Sequence, residues 1–131
     1  MDEFEFYQVL ETHLNSTPLA GRYWTNNAQA APGQDIKIEV RFQRQINSDQ
    51  LGGRRLQGHI LFGILSDSSN LLSAKPTADL IRAAFPFGTS LPGVGDVVYI
   101  SESPQVFTME PTKDNSVGMT PLWVKFFTYK G

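Results

Sequence analysis

The chain has 131 residues with 11 basic and 13 acidic side chains, a formal net charge of −2. One domain is the natural reading at this length, and such a chain buries roughly two-thirds of its unfolded surface. It contains no cysteine, which excludes disulfides, thiolate metal sites and thiol nucleophiles. The slight acidic balance argues against a general nucleic-acid binder, which needs a basic stripe to displace counterions.

Apolar residues make up 40% of the chain, and nine Phe, four Tyr and two Trp supply bulky core material, so the composition is that of a folded domain. Only 18% of residues are charged, below the usual quarter. A surface so poor in charge is either rich in amides and hydroxyls or partly covered by partners, and composition leaves both readings open. The first residues, MDEFEFYQVL, are acidic where a secretory signal would be basic, and no apolar run approaches membrane-spanning length. The expectation is a soluble protein made in the cytoplasm, without membrane contact.

Asp2 followed by Glu5 has the spacing of a capping box, and Phe6, Leu10 and Leu14 then recur every four residues, with Tyr7 widening the stripe. This predicts an amphipathic helix of about three turns ending near Asn15, ahead of Pro18. Thr17 to Asp35 is rich in Pro, Gly, Ala and amides, and only Arg22–Thr25 suggests a short strand or anchoring contact. Ile36, Ile38, Val40 and Phe42 alternate with Lys37, Glu39, Arg41 and Gln43, the pattern of a half-buried strand.

The stretch Gln45, Ile46, Asn47, Ser48, Asp49, Gln50, Leu51, Gly52, Gly53 exceeds what a tight hairpin requires. With Arg54 and Arg55 it is the candidate contact to another subunit or partner, because excess loop is often functional. Arg41, Arg44, Arg54 and Arg55 give this region a local basic excess. The loop between Arg44 and Arg54 holds no aromatic, which favours protein contact over nucleic acid.

Residues 54–65 follow with apolar side chains on both parities: Leu56, Ile60, Phe62 and Ile64 on one, Leu61 and Leu65 on the other. That predicts a central strand covered on both faces. A second helix begins near Ser69 or Asn70, or else at Lys75-Pro76, since proline suits only the first turn. Ala74, Ala78, Ile81 and Phe85 form its sheet-facing side. Val97–Ile100 reads as a strand that continues toward Phe107 as an edge or bulge around Pro104. Met109–Thr120 reads as loop, and Leu122–Tyr129 as a last strand with aromatics on both faces.

Chemical motifs are sparse. His13 and His59 are the only imidazoles, and neither has a His or carboxylate at metal-ligand spacing. No G-x-S-x-G elbow accompanies the possible Ser/His/Asp combinations. The glycines of GTSLPGVGD lack the Lys-Ser/Thr of a phosphate loop and lead into a strand, so they read as turn glycines. No catalytic residue, cofactor site or metal site is assigned.

From about Arg54 onward the chain resembles the tail-terminator-like family, small tail-completion proteins of long-tailed, non-contractile phages. The resemblance lies in an Arg-x-x-Gly entry (Arg55-Leu56-Gln57-Gly58) to an apolar strand, and in a helix reading A-D-L-I-R-x-x-F-P-x-G-T-x-L from Ala78 to Leu91. A Val-x-Ile strand, the pair Ser103-Pro104 and the closing Phe127-Thr128-Tyr129 continue it.

The resemblance implies a virion structural protein that forms a ring, a homohexamer, at the head-proximal end of the tail. Such a ring caps the tail tube, stops its polymerisation and joins a head-completion or neck protein, with DNA only as cargo through the lumen. Another head–tail connector, a neck or stopper protein, is the alternative within that class. A small ligand-binding or hydrolase domain built around His59 is the more distant one. The expected fold is α+β: roughly four strands in a mainly antiparallel sheet, with two helices packed on one face, in a single domain over residues 1–131.

Overall fold

The computed structural model describes residues 1–25, 30–43, 56–67, 71–93, 96–106 and 117–130. Helix α1 spans Glu3–Asn15, and its start is dictated locally. The Asp2 carboxylate accepts a hydrogen bond from the Glu5 backbone N–H at 2.8 Å, while the Asp2 N–H donates to the Glu5 carboxylate at 3.3 Å. This reciprocal pairing satisfies orphan donors of the first turn, and Phe6, Leu10 and Leu14 are buried as their spacing requires.

The strands are β1 (Tyr23–Trp24), β2 (Ile36–Phe42), β3 (Gln57–Asp67), β4 (Ser90–Pro92), β5 (Asp96–Ile100), β6 (Gln105–Val106) and β7 (Val117–Lys130). They form one seven-stranded sheet in the order β1-β2-β3-β7-β5-β4, with β6 also paired to β7. Every pairing is antiparallel except β1 with β2. The class is therefore α+β, with seven strands among the described residues where roughly four were expected. The additional strands are short ones, too brief to carry a readable alternation.

The parallel β1–β2 pair is fastened where β2 begins. The Arg22 carbonyl accepts from both the Asp35 and Ile36 N–H groups, at 2.9 and 3.1 Å. Gly33, at φ 86°, supplies the left-handed backbone in that connection. Across the turn, the Arg22 guanidinium holds the Asp35 carboxylate, and this hydrogen-bonded pairing raises the arginine's pKa further.

A 3₁₀ turn at Leu71–Ala74 leads into helix α2, Lys75–Ala84. Pro76 stands in the first turn, where its missing N–H removes no helical bond. Of the two starts left open by the sequence, α2 thus takes the later. Thr77, Ala78 and Ile81 are buried along its inner side, and Phe85 closes it with no exposed surface.

The core lies between the two helices and one face of the sheet. Val40, Ile60 and Val124 share one row of that face, and Ile38, Phe62 and Leu122 the next. All are essentially buried. Phe6 of α1 meets Phe126 at 4.2 Å and Phe42 at 5.5 Å between ring centroids, while Phe85 meets Phe62 at 5.2 Å. Both helices therefore pack on the same face. His13 ties them together: its Nε2–H donates to the Ala84 carbonyl at 2.6 Å.

One expectation for β3 is corrected here. It is central, flanked by β2 and β7, but among the described residues it is covered on one face only. Ile60, Phe62 and Ile64 are buried beneath the helices, whereas Leu61 and Leu65 on the other side are only half-buried. The strand's second apolar parity is legible in the sequence, but the chain's two helices both lie on the first.

The other strand expectations hold with shifted ends. Pro104 falls between β5, which lies between β7 and β4, and β6, which pairs with β7 alone among the described strands; Phe107, the expected end of this run, lies outside the described residues. Strand β7 begins at Val117, inside the stretch read as loop, and its Phe126 faces the core while Trp123, Phe127 and Tyr129 face away.

Candidate functional site: the open face of the sheet

The face turned away from the helices is built by strict alternation along β2, β3, β5 and β7. Its register places Arg41, His59 and Lys125 in one row, and Glu39, Leu61 and Trp123 in the next. Gln57, Phe127, Tyr99 and Ser90 form another row, with Leu65 and Met119 paired at the far end. The aromatic and aliphatic members of these rows are half-buried, and Met119 is 41% exposed.

The rings are ordered by one another. Tyr99 and Phe127 lie 4.9 Å apart between centroids, and Tyr129 extends the cluster at 6.1 Å from Phe127. His59 stands edge-on to Trp123 at 5.1 Å, and the Arg41 guanidinium lies over the indole at 5.9 Å. Such contacts favour fixed ring positions, so the face is a shaped surface.

Its electrostatics are mixed and weakly committed. Glu39 approaches Arg41 at 3.7 Å, and Glu102 approaches Lys125 at 3.8 Å, with all four side chains about half exposed. Ion pairs at such exposure are worth at most about 1 kcal/mol. Lys37 completes the basic members of the face.

This arrangement bears on the two histidines. His59 has basic neighbours, Arg41 and Lys125, in its own row and an indole beside it. It lies on a half-open surface, unlike the deep polar pocket that a hydrolase reading requires. His13 is engaged in joining the helices. Among the described residues, no group of three or more His, Asp or Glu side chains is placed to hold a metal ion, and no helix is long and apolar enough to cross a membrane.

A groove of about 400 Å³ runs between α1 and the turn after β4, lined by Met1, Glu5, Gln8, Val9, Thr12, Pro92 and Gly93. It is open and presents one carboxylate. The glycine-rich stretch that borders it forms β4 and a turn closed by the Gly93 N–H donating to the Asp96 carbonyl at 2.8 Å. Gly93, and Gly88 with its φ of 83°, have the turn role expected of them, while Gly95 lies outside the described residues.

The interface predicted from sequence, Gln45 to Arg55, lies outside the described residues, as does Arg44; Arg41 alone of that basic group is placed, on the open face. The open face itself was missed in the sequence. Its signal was present in Leu61 and Leu65 together with Trp123, Phe127 and Tyr129, but which parity the helices cover is not written in any single strand.

No protein-family model matches the chain, and no curated protein is significantly similar to it. A solved structure, under a name that states no activity, has a TM-score of 0.73 over 100% of this chain and 98% of its own, at 16% sequence identity. At that identity the likeness establishes the fold alone.

Proposed function

We propose that this protein is a virion structural protein of the tail-terminator type. It assembles as a ring, a hexamer, on the head-proximal end of a phage tail tube, stops the tube's polymerisation and presents the joint to a head-completion or neck protein. DNA passes through the lumen as cargo, and the chain itself carries no chemistry.

The observation that supports this reading most is the open, aromatic face of a sheet whose other face is fully used by the helices. Half-exposed Trp, Phe, Tyr and Leu side chains gathered on one surface mark a macromolecular contact. A protein whose work is assembly requires such a surface. Within the motif from Ala78 to Leu91, Ala78, Ile81, Phe85 and Leu91 are core packing, whereas Phe87 is 64% exposed.

The test is assembly in solution and on tails. Light scattering and negative-stain microscopy should show closed rings, alone or on the ends of tail tubes, and tubes assembled without the protein should overrun their normal length. A protein that stayed monomeric at high concentration and in the presence of tubes would overturn the proposal.

A further inference from the structure

We infer that the open sheet face is covered by helix α1 of a second copy, in a head-to-tail contact repeated from subunit to subunit. This rests on the ring reading above and supplies its interface. The first support is β3 itself: its second apolar parity, Leu61 and Leu65, is the pattern of a strand covered on both faces, and among the described residues its own chain covers one.

The second support is charge. The open face carries Lys37, Arg41 and Lys125. The solvent side of α1 carries the exposed Glu5 and Glu11, with no Lys or Arg anywhere in the helix. The acids already near Arg41 and Lys125 sit at 3.7 and 3.8 Å in exposed pairs, which exchange partners at little cost. The basic side chains of the mixed face and the acidic side chains of α1 can thus pair, a complementarity that favours the meeting of these two surfaces between copies.

The third is shape. Phe4 is 82% exposed and lies on the α1 stripe with Gln8 and Glu11, directed away from the sheet that Phe6, Leu10 and Leu14 pack against. An exposed Phe at the head of an acidic helix is a ready anchor for an aromatic surface. The helix's 13 residues make it about 20 Å long, and four neighbouring strands present a face about 19 Å wide.

The two surfaces lie on opposite sides of the two-layer molecule, so the contact cannot be self-complementary. It is heterologous, the type that closes into a ring when its rotation permits. Each sheet then lies between its own helices and its neighbour's α1.

The experiment uses the full chain with Phe4→Ser, Glu11→Lys, and the pair Arg41→Glu with Lys125→Glu, each checked for unchanged melting by circular dichroism. Phe4→Ser and the double charge reversal should each weaken assembly by about tenfold or more. Glu11→Lys combined with Lys125→Glu in one chain should assemble better than either alone. A mixture of Phe4→Ser chains with Arg41→Glu/Lys125→Glu chains should stop at heterodimers, because only one intact contact is left between them.

Wild-type rings that Phe4→Ser and the charge reversals leave intact would overturn this interface while the ring reading stands. Open polymers or dimers disrupted by the same variants would support the interface and overturn the ring. Monomeric wild type that instead binds a single-stranded oligonucleotide, or a tail-tube protein, through the Trp123 surface would overturn the inference.

Discussion

Arg22 grips Asp35 as a fork: Nε–H donates to Oδ1 at 3.1 Å and Nη2–H to Oδ2 at 2.6 Å. The same Nη2 donates to Thr77 Oγ1 at 2.9 Å, so one guanidinium joins the β1–β2 connection to helix α2. Both charged side chains are about one-third exposed, which screens the pair but leaves its bidentate geometry intact. Asp35→Ala is expected to lower stability by about 1–2 kcal/mol. Chemical denaturation checks the loss, and a double-mutant cycle with Thr77→Val should show coupling.

Gly58 should tolerate no side chain. A Cβ built there would lie 2.0 Å from the Arg41 carbonyl oxygen and 3.0 Å from its carbon, both backbone atoms that the β2–β3 pairing holds in place. Gly58→Ala is expected to cost about 3 kcal/mol, the upper end of overpacking penalties, and to appear as a large fall in melting temperature. Gly63→Ala is the contrast. Its nearest neighbour is the Met119 sulfur at 3.2 Å, a flexible side chain that can give way, so the loss should be clearly smaller.

Phe85→Ala should open a cavity between α2 and the sheet, where the ring packs on Phe62 and His13. The expected cost is about 3–5 kcal/mol, a large part of the stability of a domain this size. Soluble yield and assembly should fall together, as read by expression and light scattering. A folded Phe85→Ala protein that had lost assembly alone would show the residue acting outside the core.

His13→Ala should remove the bond that ties the helices together and leave the Ala84 carbonyl without that donor. A loss of about 1–2 kcal/mol is expected, measurable by thermal melting. At temperatures where the variant stays folded, tail completion should be unchanged, because the imidazole is structural. His59→Ala, on the open face, should do the reverse: stability nearly unchanged, with any loss appearing in assembly.

The elements governed by local chemistry were legible in the chain alone. The capping box at Asp2 and Glu5, the stripe Phe6–Leu10–Leu14, the alternation of β2 and the sheet-facing side of α2 all follow from spacing within a few residues. Even the start of α2 was narrowed to two places by Pro76, whose missing N–H permits only the first turn.

Tertiary structure decided what depends on partners distant in sequence. The parallel β1–β2 pair is accompanied by a fork between Arg22 and Asp35 that no periodicity announces, and β4 and β6 are too short to signal themselves. Above all, Leu61 and Leu65 declared β3 apolar on both sides, but a strand cannot state which side its own helices will take. Both lie on the Phe62 side, where His13 of α1 reaches the Ala84 carbonyl and the Phe85 ring at the end of α2. Trp123, Phe127 and Tyr99 were left on the surface, where the protein's contacts are proposed to lie.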